Sequence, residues 1–393
     1  MRVLLISHTC QSRTEGQPKA VELARLNGIE LMVLVPQTFN HFGVWKEAER
    51  PVNDSFQFTA RPVRWPWLGP AQNYLHWYPD LAQVIRAFRP DIIDLWQEPW
   101  ALVSAHACWL RNRLRPQARI VMESEQNIRK RFPPPFSWLE SYTFQNADYA
   151  VGRSSGVIRV LREKGYEGPT EVVGNAVDTD LFHPMDREAC KKALRLSGFT
   201  VGYVGRLVER KGLMDMIHAL PMAPAGTSMI FVGDGALRPA MEKRLHTLGI
   251  SKQVRFFPAR KIEDLPQIMN ALDALILPSW TVPSWKEQFG RVIIEAQACG
   301  TPVIGSNSGA IPEVVDEGGL LFPERDPAAL ATAIRQIKAN PERARRMGKI
   351  GRQQVEENFT WRRVAVQMRE VYVRCLEGSS ILPRTQSTPA KQF

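Results

Sequence analysis

The chain has 393 residues, 44% hydrophobic and 23% charged, with a formal net charge of +11. That length exceeds one ordinary core and fits about two domains, and the composition excludes a disordered or fibrous chain. The five cysteines, Cys10, Cys108, Cys190, Cys299 and Cys375, are scattered and never spaced as CxxC, which excludes a zinc ribbon or a disulfide framework and fits a reducing compartment.

The excess positive charge fits an anionic partner (a phosphorylated ligand, an anionic lipid or a nucleic acid), and a solvated basic surface would account for it equally well. The start, MRVLLISHTC, carries too short an apolar run for a signal peptide, so a cytoplasmic protein is expected. No run of about 18 apolar residues occurs, so no bilayer span is expected.

In chain order, RVLLIS at 2–7, ELMVLV at 30–35, DIIDLW at 91–96, RIVME at 119–123, DYAVG at 148–152 and TEVVG at 170–174 read as buried strands. Helical patterns such as PKAVELARLNG at 18–28 and PDLAQVIRAFR at 79–89 lie between them. Continuous apolar strands alternating with helices predict a parallel sheet covered on both faces. The alternation restarts with TVGYVGR at 200–206, SMIFVG at 228–233, VRFFP at 254–258, DALILP at 273–278, TPVIG at 301–305 and GLLFP at 319–323. Between the two sets, the polar stretch around 174–198 reads as the join between two doubly wound domains. The last helix is expected over about 361–376, followed by a frayed tail.

Open α/β sheets bind ligands at the C-terminal edges of their strands, so the loops there carry the functional reading. VGRLVERKG at 204–212 delivers Arg206 and Lys211 to that edge. A guanidinium fork and a point-like ammonium both suit phosphate oxygens, although two solvated loop cations would look the same. After DALILPSW, the stretch TVPSWKEQFG reads as a loop and RVIIEAQACG as a helix stopped at Gly300. Backbone amides near Phe289, Gly290 and Arg291 are then helix-start donors suited to phosphate. Glu287 precedes that helix and Glu295 lies a turn inside it. Carboxylates accept hydrogen bonds from paired hydroxyls, so the implied ligand is a diphosphate flanked by two hydroxyl-rich groups. A capping carboxylate and an exposed helix glutamate are the plainer alternative.

These motifs resemble the GT-B glycosyltransferases, specifically the retaining group often called family 4. The resemblance rests on VGRLVERKG, VGDG at 232–235, EQFGRVIIEAQACGTPVI with its Glu-x7-Glu spacing, SGAIPEVV, and GNAVDTDLFHP with Ala176 where the usual glycine sits. It implies an α/β GT-B fold: two Rossmann-like doubly wound parallel-sheet domains facing a cleft. An acceptor-side domain would span 1–175 and a nucleotide-sugar domain 195–360. A C-terminal helix at about 361–377 would cross back to the first domain, leaving a tail at 378–393.

By resemblance, Arg206 and Lys211 hold the donor diphosphate and stabilise it as leaving group. Glu287 contacts the hydroxyls of the transferred sugar and Glu295 the nucleotide ribose. Gly205 and the amides of Phe289, Gly290 and Arg291 fall on the donor side, and Arg260, Lys261 and Ile262 frame the base. The resemblance also implies retention at the anomeric carbon. No Asp-x-Asp lies at the strand edges, and DTD at 178–180 sits in the join, so neither metal nor cofactor is expected and the nucleotide sugar enters as a substrate.

The first domain departs from the family pattern. Where a glycine pair is usual in the first strand–helix loop, SHTCQSRTEGQPKA offers only Gly16. Where a histidine often follows the fourth strand, this chain reads VMESEQNIRKRFPPPF, so Glu123, Glu125, Gln126 or Asn127 would serve the acceptor side, with Glu125 and Asn127 the chosen candidates. RPVRWPWLGPAQNYLHWYP at 61–79 and RKRFPPPFSWLESYTF at 129–144 mix aromatic with basic residues. That mixture suits an anionic membrane surface and a lipid-linked acceptor, or else ordinary packing beside a sugar-stacking wall.

The expected partners are therefore a nucleotide-sugar donor, a glycan or lipid-linked acceptor and an anionic membrane surface, with no nucleic acid. A nucleotide-sugar 2-epimerase of the same fold and a non-catalytic membrane-associated scaffold are the rival readings. A nicotinamide-dependent oxidoreductase would want GxGxxG at its first strand–helix turn, and a P-loop enzyme GxxxxGK[ST]; the chain has neither.

Overall fold

The structure, a computed structural model, describes residues 1–41, 44–52, 54–65 and 71–378. The expected tail lies outside the described residues from 379 onward, as does 66–70 within the first aromatic–basic stretch. The chain divides into two compact units. One holds Met1–Gly152, Val157–Val173 and the chain from Ala365 onward; the other holds Arg153–Gly156 and Gly174–Val364.

In the first unit the strands are β1 (Arg2–Ile6), β2 (Glu30–Pro36), β3 (Thr38–His41), β4 (Val44–Glu47), β5 (Gln57–Arg61), β6 (Ile92–Leu95), β7 (Arg119–Ser124), β8 (Tyr149–Gly152) and β9 (Thr170–Val172). All but β3 and β4 form one parallel sheet, ordered β5-β2-β1-β6-β7-β8-β9, and β3 and β4 make a separate antiparallel pair. The central strands are continuous apolar runs because both faces are covered: Val3, Leu4, Leu5 and Ile6 of β1 are wholly buried. The sequence pattern misses β5 because an edge strand, half exposed and reading QFTAR, carries no such run. It misses the β3–β4 pair because TFNH and VWKE mix polar with apolar residues and carry no continuous apolar run.

The helix Trp361–Glu377 turns Ala365, Met368, Val371, Tyr372 and Cys375 to one buried face, spaced three and four apart. From Ala365 onward it belongs to the first unit. Its Tyr372 hydroxyl donates to Asp94 Oδ2 at 2.6 Å, and Arg374 pairs with Glu171 at 2.7 Å.

In the second unit, β10 (Phe199–Val204), β11 (Thr227–Val232), β12 (Val254–Phe257), β13 (Ala274–Leu277), β14 (Val303–Ser306) and β15 (Gly319–Phe322) form a parallel sheet ordered β12-β11-β10-β13-β14-β15. The chain runs outward from β10 to β12, then returns beside β10 and runs the other way. The order therefore reverses between β10 and β13, which opens a crevice at their C-terminal ends. In the first unit the same reversal falls between β1 and β6.

The stretch read as a join is built into the second unit. Asp178 accepts from the Asp180 and Leu181 amides at 2.9 and 3.1 Å, so DTD forms a local turn. Phe182 is buried, and its carbonyl accepts from Arg352 at 2.8 Å. The polar composition of the stretch is that of turns packed on a core.

Candidate functional site

The C-terminal ends of β10 and β13 bring together most of the donor-side residues expected from sequence. After β10 the chain makes a tight turn in which the Tyr203 hydroxyl donates to the Arg206 carbonyl at 2.9 Å. Burial, reinforced by the nearby charge of Glu287, raises the Tyr203 phenol and keeps it a donor. A 3-10 turn, Glu209–Lys211, follows and ends at Gly212 with φ +66°. A Cβ on Gly212 would lie 1.9 Å from the Pro278 carbonyl oxygen, so only glycine lets the β10 loop lie against the end of β13.

That approach sets the central contact. Lys211 Nζ donates to Glu287 Oε2 at 2.6 Å, and Ser279 Oγ donates to the same oxygen at 2.8 Å. The two charged side chains are 17% and 9% exposed. The Glu287 backbone is held as well: its carbonyl accepts from the Ala310 amide at 3.0 Å. Gly309, at φ +57°, would place a Cβ 2.0 Å from that carbonyl oxygen. The SGAIPEVV motif thus acts as a backbone clamp on Glu287.

Arg206 is exposed and makes no side-chain hydrogen bond or ion pair among the described residues. Gly205 lies at the turn between β10 and Arg206, its amide donating to the Val232 carbonyl at 2.9 Å. The helix Arg291–Ala298 has Gly290 as its N-cap. The amides of Phe289, Gly290 and Arg291 find no acceptor among the described residues, as the start of a helix dictates. The Phe289 ring is buried and meets Phe359 edge-on at 5.6 Å, so it anchors the turn while its amide stays available.

Glu295 is half-buried one turn into this helix. Burial holds its carboxyl above the ordinary range, partly offset by Arg291 four residues earlier. It accepts no hydrogen bond among the described residues. Arg260 and Lys261 are exposed in the loop after β12, and Ile262 opens the 3-10 turn that follows, half-buried against the core. They lie two strands from β10, about 10 Å away at the usual strand spacing.

Gly16 and the acceptor-side candidates belong to the first unit. Gly16 is the N-cap of the helix Gln17–Ala24, and a Cβ there would lie 2.5 Å from the Thr9 carbonyl, so packing alone accounts for the glycine. The Glu125 amide donates to Glu98 Oε1 and the Ser124 hydroxyl to Glu98 Oε2, both at 2.8 Å. Asn127 is buried in the same loop. Glu123 is buried and ion-paired with Lys19. Gln126 accepts from Lys164 at 2.8 Å.

Several residues at these edges escaped the sequence reading. Glu98, pushed up to about 7 by burial, lies three residues past the end of β6, and His8 after β1 meets Gln97 at 2.9 Å across the first sheet's reversal point. Ser279, Arg210 and Trp285 line the second. Each follows an apolar strand, and that position is the signal that could have found them.

Two parallel sheets of this order, each reversing at its centre, define the GT-B class of α/β proteins. Residues 185–354 match the family described as glycosyl transferases group 1, and residues 20–181 match glycosyltransferase family 4. The chain belongs to this glycosyltransferase family.

The chain is 33% identical to spore coat protein SA of Bacillus subtilis over 52% of this chain and 58% of that protein. It is 29% identical to D-inositol 3-phosphate glycosyltransferase of Corynebacterium jeikeium over 71% and 67% of the two. With glycogen synthase of Mycobacterium tuberculosis it shares 33% identity over 45% and 42%. The chain thus spans between 42% and 67% of the length of these relatives. Among solved structures, sucrose-phosphate synthase from Thermosynechococcus elongatus superposes with a TM-score of 0.72 at 24% identity, covering 96% of this chain and all of that one. Anabaena HepE in complex with UDP superposes at 0.71 and 18% identity, over 95% of this chain and 100% of that one. At these identities the two structures speak for the fold.

Proposed function

We propose that the chain moves a sugar from a nucleoside-diphosphate-sugar donor to a hydroxyl of a glycan or lipid-linked acceptor, in the assembly of a cell-surface polysaccharide or glycolipid. The observation that carries this reading is the Lys211–Glu287 contact at the β10–β13 reversal point, together with the Arg206 guanidinium and the amides of Phe289, Gly290 and Arg291, which are unpaired among the described residues.

In this reading the leaving group is the nucleoside diphosphate, and breaking the anomeric C–O bond leaves its electron pair on the β-phosphate. Arg206, Lys211 and the helix-start amides stabilise that charge where it develops, so no divalent ion is written into the step. Glu287, oriented by Lys211, Ser279 and the Ala310 amide, accepts hydrogen bonds from the hydroxyls of the transferred sugar. Glu295, which accepts no hydrogen bond among the described residues, accepts the ribose hydroxyls, and Arg260, Lys261 and Ile262 frame the base. The acceptor hydroxyl attacks on the face the leaving group departs, and its proton passes to the departing phosphate oxygen, with retention. Solved structures of Anabaena HepE hold UDP and UDP-glucose, which supports a donor of this chemistry.

On the acceptor side, the reading assigns the Glu98-bound loop carrying Glu125 and Asn127. It also places the protein at the inner face of the cytoplasmic membrane, in peripheral contact. What supports this is a group of aromatic and basic side chains: Arg129, Lys130 and Arg131 are exposed, Trp138 is 68% exposed, and the rings of Tyr74, Trp100 and Phe132 meet tilted, with successive centroids 4.4 and 5.4 Å apart. Among the described residues no helix is long and apolar enough to cross a membrane.

The test is thermal denaturation with UDP, GDP and ADP and their sugars. A cognate nucleotide at a hundredfold excess over Kd should stabilise the protein by about 2.7 kcal/mol. No stabilisation by any of them, or an equal response in R206A/K211A, would end the reading.

A further inference from the structure

Trp285 is absent from every role assigned so far, yet its ring faces both basic side chains of the β10 loop. The Lys211 ammonium lies 4.8 Å and the Arg210 guanidinium 5.0 Å from its centroid. Arg210 forms no ion pair, and its Nε is buried without a hydrogen-bond partner among the described residues. The orientation of that guanidinium therefore rests on the ring. The ring is itself fixed. Val282 and Trp285 pair back to back, with N–H···O distances of 2.8 and 3.0 Å. The Trp280 amide donates to the Arg210 carbonyl at 2.8 Å and its indole N–H to Asp215 at 2.6 Å. The Thr281 hydroxyl donates to Glu324 at 2.6 Å.

We propose that Trp285 is a positioning residue for diphosphate binding, its indole face holding the Lys211 ammonium and the Arg210 guanidinium against the β10 loop. This rests on the donor reading above. Lysine and arginine lose much rotamer freedom when they bind an anion. A ring that has already ordered them removes part of that loss and adds cation–π attraction. Glu287 compensates one of the three cations Arg206, Arg210 and Lys211. The surplus suits a ligand with more than one negative charge, and inorganic pyrophosphate is the smallest probe of it.

The experiment titrates wild type, W285A, W285L and W285F with UDP, GDP, ADP and inorganic pyrophosphate by calorimetry. W285L keeps bulk without a π face, and W285F keeps a face, so the pair separates positioning from packing if W285A fails to fold. The expected result is binding about tenfold weaker in W285A and W285L, and within threefold of wild type in W285F, with the same factor for pyrophosphate. A second readout needs no ligand. The Lys211 ammonium NMR resonance, identified by its loss in K211M, should be ring-shifted upfield in wild type and return toward the ordinary lysine position in W285L. Equal binding by W285L and wild type, or an unshifted Lys211 resonance, overturns the role of Trp285 and leaves the donor reading standing. No binding of any probe by wild type overturns the donor reading, and this role with it.

Discussion

Lys211 and Glu287 stand 76 residues apart in the chain and meet at 2.6 Å. Their contact exists because β10 and β13 are neighbours in the sheet and Gly212 lets the two loops touch. The pair is mostly buried, so removing one member exposes the role of the other.

In K211A, transfer should fall by about 100-fold or more, since a charge aimed at the leaving group is lost. The Glu287 carboxylate would lose a charged donor while still meeting Ser279, costing about 1–3 kcal/mol of stability, less than for a wholly buried pair. The double variant K211M/E287Q should regain most of that stability, read by urea denaturation, and stay inactive. Recovery of activity in the double variant would refute both assigned roles.

The Arg206 side chain has no partner among the described residues, so R206A should leave stability within about 0.5 kcal/mol of wild type. Nucleoside-diphosphate affinity should drop by at least about tenfold, because hydrogen bonds to charged groups contribute about 1.5–3 kcal/mol. Calorimetric titration decides this, and unchanged affinity would remove Arg206 from the site.

Asp94 and Glu98 are both pushed up to about 7, chiefly by burial. Asp94 also faces Glu123, against which Lys19 and the Tyr372 hydroxyl work; Glu98 is held down in part by the Glu125 amide and Ser124. A carboxyl whose folded pKa lies above its unfolded value binds a proton in the folded state first. Each therefore favours folding at low pH, and that contribution is lost as pH rises from about 4 to 7. In E98Q, the fall of the melting temperature over that window should be shallower than in wild type. An unchanged slope would mean that Glu98 ionises normally.

The Tyr372 hydroxyl ties the last helix to Asp94. Y372F should cost about 1–3 kcal/mol, because it leaves a buried carboxylate oxygen short of a donor while Asp94 Oδ1 already has none. Chemical denaturation measures it, and a neutral result would show that the helix is held by its apolar face alone.

Sedimentation with vesicles containing anionic lipid should carry the protein down at low salt and release it as salt rises, with R129E/K130E/R131E defective. Binding that ignores salt would point to the aromatic rings instead of the charges. Transfer itself should persist in EDTA, since the leaving-group charge is assigned to Arg206, Lys211 and the helix start.

Local order determined much of this protein. Fully buried parallel strands must be continuous apolar runs, so the buried strands of both sheets were legible along the chain, and the exposed edge strand β5 was not. The loops that follow them were legible too, because glycine and charge directly after an apolar run mark a sheet edge. Arg206, Lys211, Glu287 and Glu295 could be singled out on that basis. What only the tertiary structure decided was which groups meet. The neighbour of a strand is set by the winding order of the sheet, and no periodicity encodes it. Lys211 pairing with Glu287, Trp285 facing Lys211 and Arg210, and Lys19 neutralising Glu123 in the core all depend on that order. Glu123 and Glu125 show the limit most plainly: β7 ends at Ser124, so the first is buried against a lysine and the second falls in the loop, and only the lysine's position in space explains why a carboxylate can be buried there at all.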